Sequence, residues 1–381
     1  MYFSFKENPE DFIVREILPY ELAWVGDFFY VYFEKSGINT MEVVMELCHE
    51  LWILRKELGI AGLKDKDGIT AQWISIWKKS LNNCWWKDVF LKTLWGFVKI
   101  LDTNRHTEPL AIGKNRGNFF KITLGYQQTP PEEVKLKIEG HLAASKSEPI
   151  PNVFWIQRFG RGNKNYKKAA RIFYWDKDSG DNYELKFKLQ AFWSMWFNEY
   201  VMKRWKDKAF LLEWDIMVDG WNAFGSNVAQ YIDNKLHHFD YRKAKEYHEK
   251  QDFWSIENWQ WESDFNPDIW LPTWPVLWTE QLLCKAWTEA RKYDDWVIQE
   301  SKFSWLGSSI SSRHNLYGFR RPLWITVPDI HRYWGENWLI LEFSLPTGSY
   351  ASSYLASILW DVDPEGCEVN WLIIPRVDYL S

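Results

Sequence analysis

The stretch Ala61-Gly62-Leu63-Lys64-Asp65-Lys66-Asp67-Gly68-Ile69-Thr70-Ala71-Gln72 sets one carboxylate, Asp65, between two lysines in a short polar loop bracketed by glycines. A strand pattern precedes the loop and a second, Thr70 to Ile76, follows it. A carboxylate held at such a junction is placed to meet a ligand rather than to pack. Glycine beside Lys and Asp also makes ordinary turns, so these twelve residues alone read as a solvated turn. What surrounds them gives them their weight.

Upstream, Phe28 to Glu34 is aromatic and β-branched, the signature of a buried strand. Gly37 turns the chain, and Asn39 or Thr40 caps a helix with Val44, Leu47, Cys48 and Leu51 at three- and four-residue spacing. Downstream, Phe119 to Leu124 reads as a strand entered from Gly117-Asn118. Pro130-Pro131 opens a helix reaching about Ala144, with Glu132 and Glu133 in its first turn, where the helix dipole favours acids. From Pro151 the pattern turns helical, over Tyr166 to Trp175, Leu185 to Trp205 and Glu280 to Glu300, with a polar, irregular region between about 225 and 270. Strand character returns at Trp338 to Leu345, followed by a turn at Pro346-Thr347-Gly348 and a short helix from Tyr350 to Leu359. The chain therefore reads as α+β, then helical, then α+β: a helical domain inserted into a sheet domain.

With 381 residues there is room for two compact units. No apolar run approaches the roughly 20 residues a membrane span needs. The N-terminus shows no secretory pattern, and the four scattered cysteines suggest neither disulfides nor a metal site. A reduced, cytoplasmic protein is expected. The net charge of −5 argues against nucleic acid as a partner, but it hides a local bias. Val153 to Tyr174 holds Arg158, Arg161, Lys164, Lys167, Lys168 and Arg171 with no acid. Further basic groups are Lys114, Arg116 and Lys121, and Arg313, Arg320 and Arg321. Each alone reads as a solvated face; together they suit a phosphate backbone.

These pieces, taken in order, resemble the TruD family of tRNA pseudouridine synthases over nearly the whole chain. The resemblance opens at Lys6-Glu7-Asn8-Pro9-Glu10-Asp11-Phe12 and runs on to Glu16. It continues through Lys35-Ser36-Gly37-Ile38-Asn39-Thr40, the Asp65 loop, Arg105-His106 and Gly117-Asn118-Phe119-Phe120-Lys121-Ile122. Then follow Pro151-Asn152-Val153-Phe154-Trp155-Ile156-Gln157-Arg158-Phe159-Gly160, Ser194 with Phe197-Asn198, Arg320-Arg321, and Leu345-Pro346-Thr347-Gly348-Ser349-Tyr350-Ala351. Each block is modest; six or more in family order make coincidence a poor explanation.

The resemblance implies an α+β fold: a mixed, mostly antiparallel catalytic sheet with flanking helices, plus a largely helical TRUD insertion domain. The catalytic domain would span 1–152 and resume over 327–381, with the insertion over 153–326 and RNA in the cleft between them. The implied reaction isomerises a uridine in tRNA, uridine 13 in bacterial-type members, to pseudouridine. It needs no cofactor and no metal, because the uracil is both leaving group and returning nucleophile. The implied partner is tRNA, met by a monomer without a membrane. The competing reading is an inactive tRNA-binding chaperone of the same fold.

By the same resemblance Asp65 is the catalytic carboxylate, acting as a nucleophile or in deprotonation. Asp67 is the competitor, set aside because the family motif ends at Lys-Asp. Phe12, Phe120 and Tyr350 match positions lining the uridine pocket, where an aromatic face replaces lost stacking worth about 1–3 kcal/mol per base. Asn118 carries an amide able to read both donor and acceptor on a uracil edge. Lys6 is expected near the active-site carboxylate. Lys64 is expected to keep Asp65 ionised or to meet phosphate, and Arg158, Arg161, Lys167 and Lys168 to contact the RNA backbone. His106 reads as a structural or RNA-contacting residue rather than a base.

The tryptophans depart from this pattern. There are 28 of them against 20 glycines, an inversion of ordinary usage. Trp24, Trp52, Trp155, Trp214, Trp274 and Trp278 stand where the family, or backbone physics, wants glycine. They are expected to be UGA codons of an organism that reads UGA as glycine, written here as tryptophan.

Overall fold

A computed structural model of the chain describes residues 3–81, 98–160, 164–175, 183–219, 227–240, 261–266, 270–276, 283–301 and 319–369. The chain forms two compact units, one of residues 1–137 with 327–348 and one of 138–326 with 349–381.

The first unit is built on a nine-stranded sheet. Its strands in the amino-terminal part are β1 (Phe3–Phe5), β2 (Phe12–Ile17), β3 (Phe28–Lys35), β4 (Leu58–Ile60), β5 (Ile69–Trp77), β6 (Val98–His106) and β7 (Gly117–Tyr126). The carboxy-terminal strands His331–Trp334 and Trp338–Pro346 complete it. The order runs His331–Trp334, Trp338–Pro346, β7, β2, β5, β3, β6, with β1 on β7 and β4 on β5. Only the β2–β5 pair is parallel among these strands, so the sheet is mixed and mostly antiparallel.

Alternation along β3 sends Val31 and Phe33 to the buried face, where they meet Ile74 and Ile76 of β5. Helix α1 (Thr40–Glu50) covers this layer with Val43, Val44, Leu47 and Cys48. The Asn39 backbone N–H donates to the Glu42 carboxylate at 2.9 Å, satisfying a donor at the helix entry. At the exit the Ile53 N–H donates to the Cys48 carbonyl and the Trp52 N–H to that of His49. These are the two bonds of a Schellman cap, whose left-handed position is normally glycine. Trp52 fills it with φ 56°.

In the second unit, helices Lys164–Trp175 and Tyr183–Lys206 share a core that includes Phe192, Trp196, Phe197, Tyr200 and Trp274. Arg204 and Asp215 form a buried bidentate pair at 2.7 and 2.8 Å. Asp215 also accepts the Leu212 N–H, and Arg204 also donates to the Ala209 carbonyl.

The middle of the chain carries a sheet beside its helices: six strands form an antiparallel sheet in the order Trp261–Asp264, Lys235–Asp240, Asn227–Ile232, Ile216–Asp219, Trp270–Val276, Phe319–Pro322. The segment read as irregular contains a hairpin turning at Asp233-Asn234, both with positive φ, as a two-residue hairpin turn requires. Its pattern is hard to see in sequence because Gln230 and His238 occupy buried positions; His238 bonds the Ser263 hydroxyl at 2.8 Å. By contacts the two units divide near 137, and residues after 348 group with the second unit. The reason is packing: Ser353 donates to the Val153 carbonyl, and Ser145 pairs with the Tyr354 hydroxyl. Finally, the helix expected from Glu280 starts at Glu289, where Thr288 caps it. Among the described residues no helix is long and apolar enough to cross a membrane.

Candidate active site

The sheet sets the site by register. Glu16 lies opposite Asn118, Val14 opposite Phe120 and Phe12 opposite Ile122 across the antiparallel β2–β7 pair. Directly opposed residues share a face, and a period of two puts Phe12, Glu16, Asn118 and Phe120 on one side. The Phe12 and Phe120 rings lie 6.1 Å apart, and Phe120 stacks on Phe343 at 5.6 Å. The Asn118 side-chain oxygen is buried and accepts no hydrogen bond among the described residues. A buried orphan acceptor costs about 1–3 kcal/mol, so it is a position where an incoming N–H donor is welcome.

Asp65 stands at the edge of this face with a side chain 41% exposed. Lys6 donates to its Oδ2 at 2.9 Å. The Lys6 ammonium also lies 3.7 Å from the centre of the Phe12 ring. Lys6 reaches this place with φ 59°, a left-handed backbone that a non-glycine residue holds at a cost of about 1–3 kcal/mol. Such strain concentrates at functional sites. The Asp65 Oδ1 makes no hydrogen bond among the described residues, so one carboxylate oxygen is anchored and the other is open.

The loop carrying Asp65 is tied from behind. Gln72 donates to the Gly62 carbonyl at 3.2 Å, and the Lys64 N–H donates to the Thr40 hydroxyl at 3.0 Å. Thr40 in turn donates to Gln72 at 2.7 Å, and the Gly37 N–H holds the Lys66 carbonyl at 3.0 Å. Lys35, fully buried at the end of β3, donates to the carbonyls of Ile38, Lys64 and Asp65 at 2.9, 3.2 and 2.8 Å. Burial pushes its ammonium down to about 8, opposed by the nearby Asp65 carboxylate. A Cβ at Gly68, where the loop enters β5, would sit 2.5 Å from the Phe12 carbonyl oxygen, so glycine lets loop and β2 approach.

The structure thus brings Asp65, Lys6, Phe12, Phe120 and Asn118 together in the first unit. Lys64 is held in an ion pair: its side chain is 7% exposed and its ammonium lies 2.8 Å from the buried Glu16 carboxylate. Glu16 spends its other oxygen on the Trp73 N–H at 3.0 Å. Tyr350 belongs to the second unit, where its ring centre lies 6.0 Å from that of Phe154. Arg158 is half-buried and donates to Ser194 and Gln190, which makes it a brace for its helix. Arg320 and Arg321 are buried too, donating to Thr273 and Asn152, and so are not a solvated basic face; burial lowers Arg321 to about 9. Lys167 and Lys168 are exposed. Arg161 lies outside the described residues. His106 stacks on Tyr20 at 4.6 Å and accepts the Ala23 N–H, a structural role.

Sequence reasoning missed Lys35 and gave Glu16 no part. A signal existed for Lys35: it follows Val31 and Phe33 in the phase of the buried face, where a lysine is out of place unless its ammonium is satisfied.

A half-exposed carboxylate gripped by a lysine lies beside two aromatic rings and an unfilled amide acceptor on one sheet face, an arrangement able to accept a planar, hydrogen-bonding group. Residues 2–173 match the family TruD, tRNA pseudouridine synthase D. Among curated relatives, tRNA pseudouridine synthase D of Sulfurimonas denitrificans is 33% identical over 214 residues, 56% of this chain and 57% of that protein. The Photobacterium profundum protein of the same name is 37% identical over 202 residues, 52% of this chain and 54% of that one. At this identity the chain spans just over half the length of the relatives it matches. The Nitratiruptor protein of that name aligns across 93% of this chain and 94% of its own at 26% identity. A crystal structure of a Methanosarcina mazei protein, described as a candidate tRNA pseudouridine synthase D, matches with TM-score 0.57 at 19% identity, covering 96% and 95% of the two chains. That match shows the fold. Over residues 2–173 the chain is similar to the TruD family.

Proposed function

We propose that this protein is a tRNA pseudouridine synthase that isomerises a specific uridine, uridine 13 by the family resemblance, with Asp65 as its catalytic carboxylate. The observation that carries the proposal is the Lys6–Asp65 pair, set beside Phe12, Phe120 and the unsatisfied Asn118 oxygen. Pseudouridylation breaks the bond from uracil N1 to ribose C1′, turns the base and joins C5 to C1′. Phe12 and Phe120 are nearly buried, so they would form an apolar floor for a base taken out of its stack. The Asn118 oxygen suits the N3–H of uracil. Asp65, with one oxygen held by Lys6, keeps the other for the sugar–base centre, as a nucleophile or in deprotonation. Lys167 and Lys168, exposed on their helix, suit the RNA backbone and would position substrate without reading sequence.

The test is to delete the gene and map pseudouridine in the cell's tRNA. The proposal expects loss at one tRNA position, uridine 13, restored by the wild-type gene and not by one encoding Asp65→Ala. Restoration by both would remove Asp65 from the chemistry. An unchanged map, with purified protein still binding tRNA tightly, would favour a binding-only protein.

A further inference from the structure

We infer that Lys35 is a positioning residue of this reaction: its buried ammonium, donating to the carbonyls of Ile38, Lys64 and Asp65, fixes the main chain that aims the Asp65 carboxylate. The inference rests on the function proposed above.

An ammonium has three N–H donors and no acceptor. Here all three donors go to main-chain carbonyls, two of them on consecutive residues of the catalytic loop. Holding the carbonyls of Lys64 and Asp65 fixes the peptide on either side of the Asp65 side chain, and so its direction. Placing a charge in a fully buried position is costly, and a methionine of similar reach would fill the space without that cost. The charged groups acting on Lys35 are Asp65, Lys64 and Asp67 of the loop and Glu42 of α1. None of these side chains is among its hydrogen-bond partners, so the ammonium is committed to the loop backbone. Thr40 and Gln72 hold the loop's earlier part, at Lys64 and Gly62. At the Asp65 carbonyl Thr70 also donates, at 3.5 Å, against 2.8 Å for Lys35.

Proton loss sets rate and stability in opposite directions. Lys35 releases its proton near 8 in the folded chain, below its ordinary value of 10.5. Between these values the unfolded chain binds more protons than the folded one, so the Lys35 contribution to stability rises with pH across that window. The neutral amine, however, keeps two donors and turns a lone pair toward carbonyl oxygens, which loosens the Asp65 peptide. Turnover therefore falls as pH rises through about 8, while stability does not. A lysine with only a structural role would leave the rate unchanged there.

The experiment measures single-turnover pseudouridine formation at saturating tRNA for wild type and Lys35→Met between about pH 6.5 and 9.5, with tRNA affinity and melting temperature at each pH. Wild type is expected to lose rate above about pH 8, approaching tenfold per pH unit, without a matching fall in melting temperature. Lys35→Met is expected to be slower by about 100-fold at neutral pH, the scale of a misplacement of roughly 1 Å, with tRNA affinity within about threefold and no break at 8. A wild-type rate level to the alkaline limit overturns the inference, whether or not the variant folds. So does a variant as fast as wild type, or one that loses affinity in step with rate. A wild type that forms no pseudouridine at any pH overturns the functional proposal itself, and this inference with it.

Discussion

Trp52 holds the sharpest conflict between a side chain and its backbone. Its φ of 56° suits glycine, and the residue is 92% exposed. Trp24 (φ 63°), Trp214 (φ 70°) and Trp287 (φ 70°) share the left-handed backbone, and Trp287 is fully exposed. Left-handed backbone costs an L-residue about 1–2 kcal/mol, and an exposed indole gives little packing in return. Trp52→Gly is therefore expected to stabilise the protein by about 1 kcal/mol, part of the relief being offset by the freer unfolded chain; thermal or urea unfolding reads it. The codons at Trp24, Trp52, Trp214 and Trp287 are expected to be UGA, and UGG at all four contradicts the recoding. Trp274 does not join this group. It stacks on Tyr200 at 5.0 Å and its indole N–H donates to buried Asp294, so the structure gives it a packed place. Trp155 is likewise buried without positive φ, and Trp278 lies outside the described residues.

The element that matters most is the loop from Gly62 to Gly68. Its acidic centre and its glycines are legible in sequence; what holds it is not. The grip comes from Lys35, Thr40 and Gln72, which lie on α1 and two strands and meet only on folding. Long-range polar contacts of this kind leave no period in the sequence, whereas β3, α1, β5 and β7 each do. The same limit hid Glu16, whose carboxylate takes Lys64 away from solvent. At Gly68 the added methyl of Gly68→Ala would press on the Phe12 backbone and ring. That variant is expected to lose about 1–3 kcal/mol of stability and to slow turnover, because the strain falls between Phe12 and the Asp65 loop. Unfolding curves beside a rate assay check both.

At the scale of the whole molecule, the sheet of the first unit was readable because its strands alternate and its helix carries an apolar stripe. The six-stranded sheet of the second unit was not, because buried Gln230 and His238 break the alternation. That unit holds a fully buried ion pair, Arg204 with Asp215. Removing the carboxylate in Asp215→Ala strands the buried Arg204 guanidinium and is expected to cost about 3–5 kcal/mol, seen as a lower melting temperature. The central claim, that this fold carries a uridine-isomerising site centred on Asp65, meets its most direct test in a purified system. Unmodified tRNA is incubated with wild-type protein or with Asp65→Asn, which keeps shape and removes charge, and pseudouridine is read at single-nucleotide resolution. The account predicts one modified uridine with wild type and a rate lower by on the order of 10³-fold or more with the variant, tRNA binding being retained. Equal modification by both proteins would contradict it.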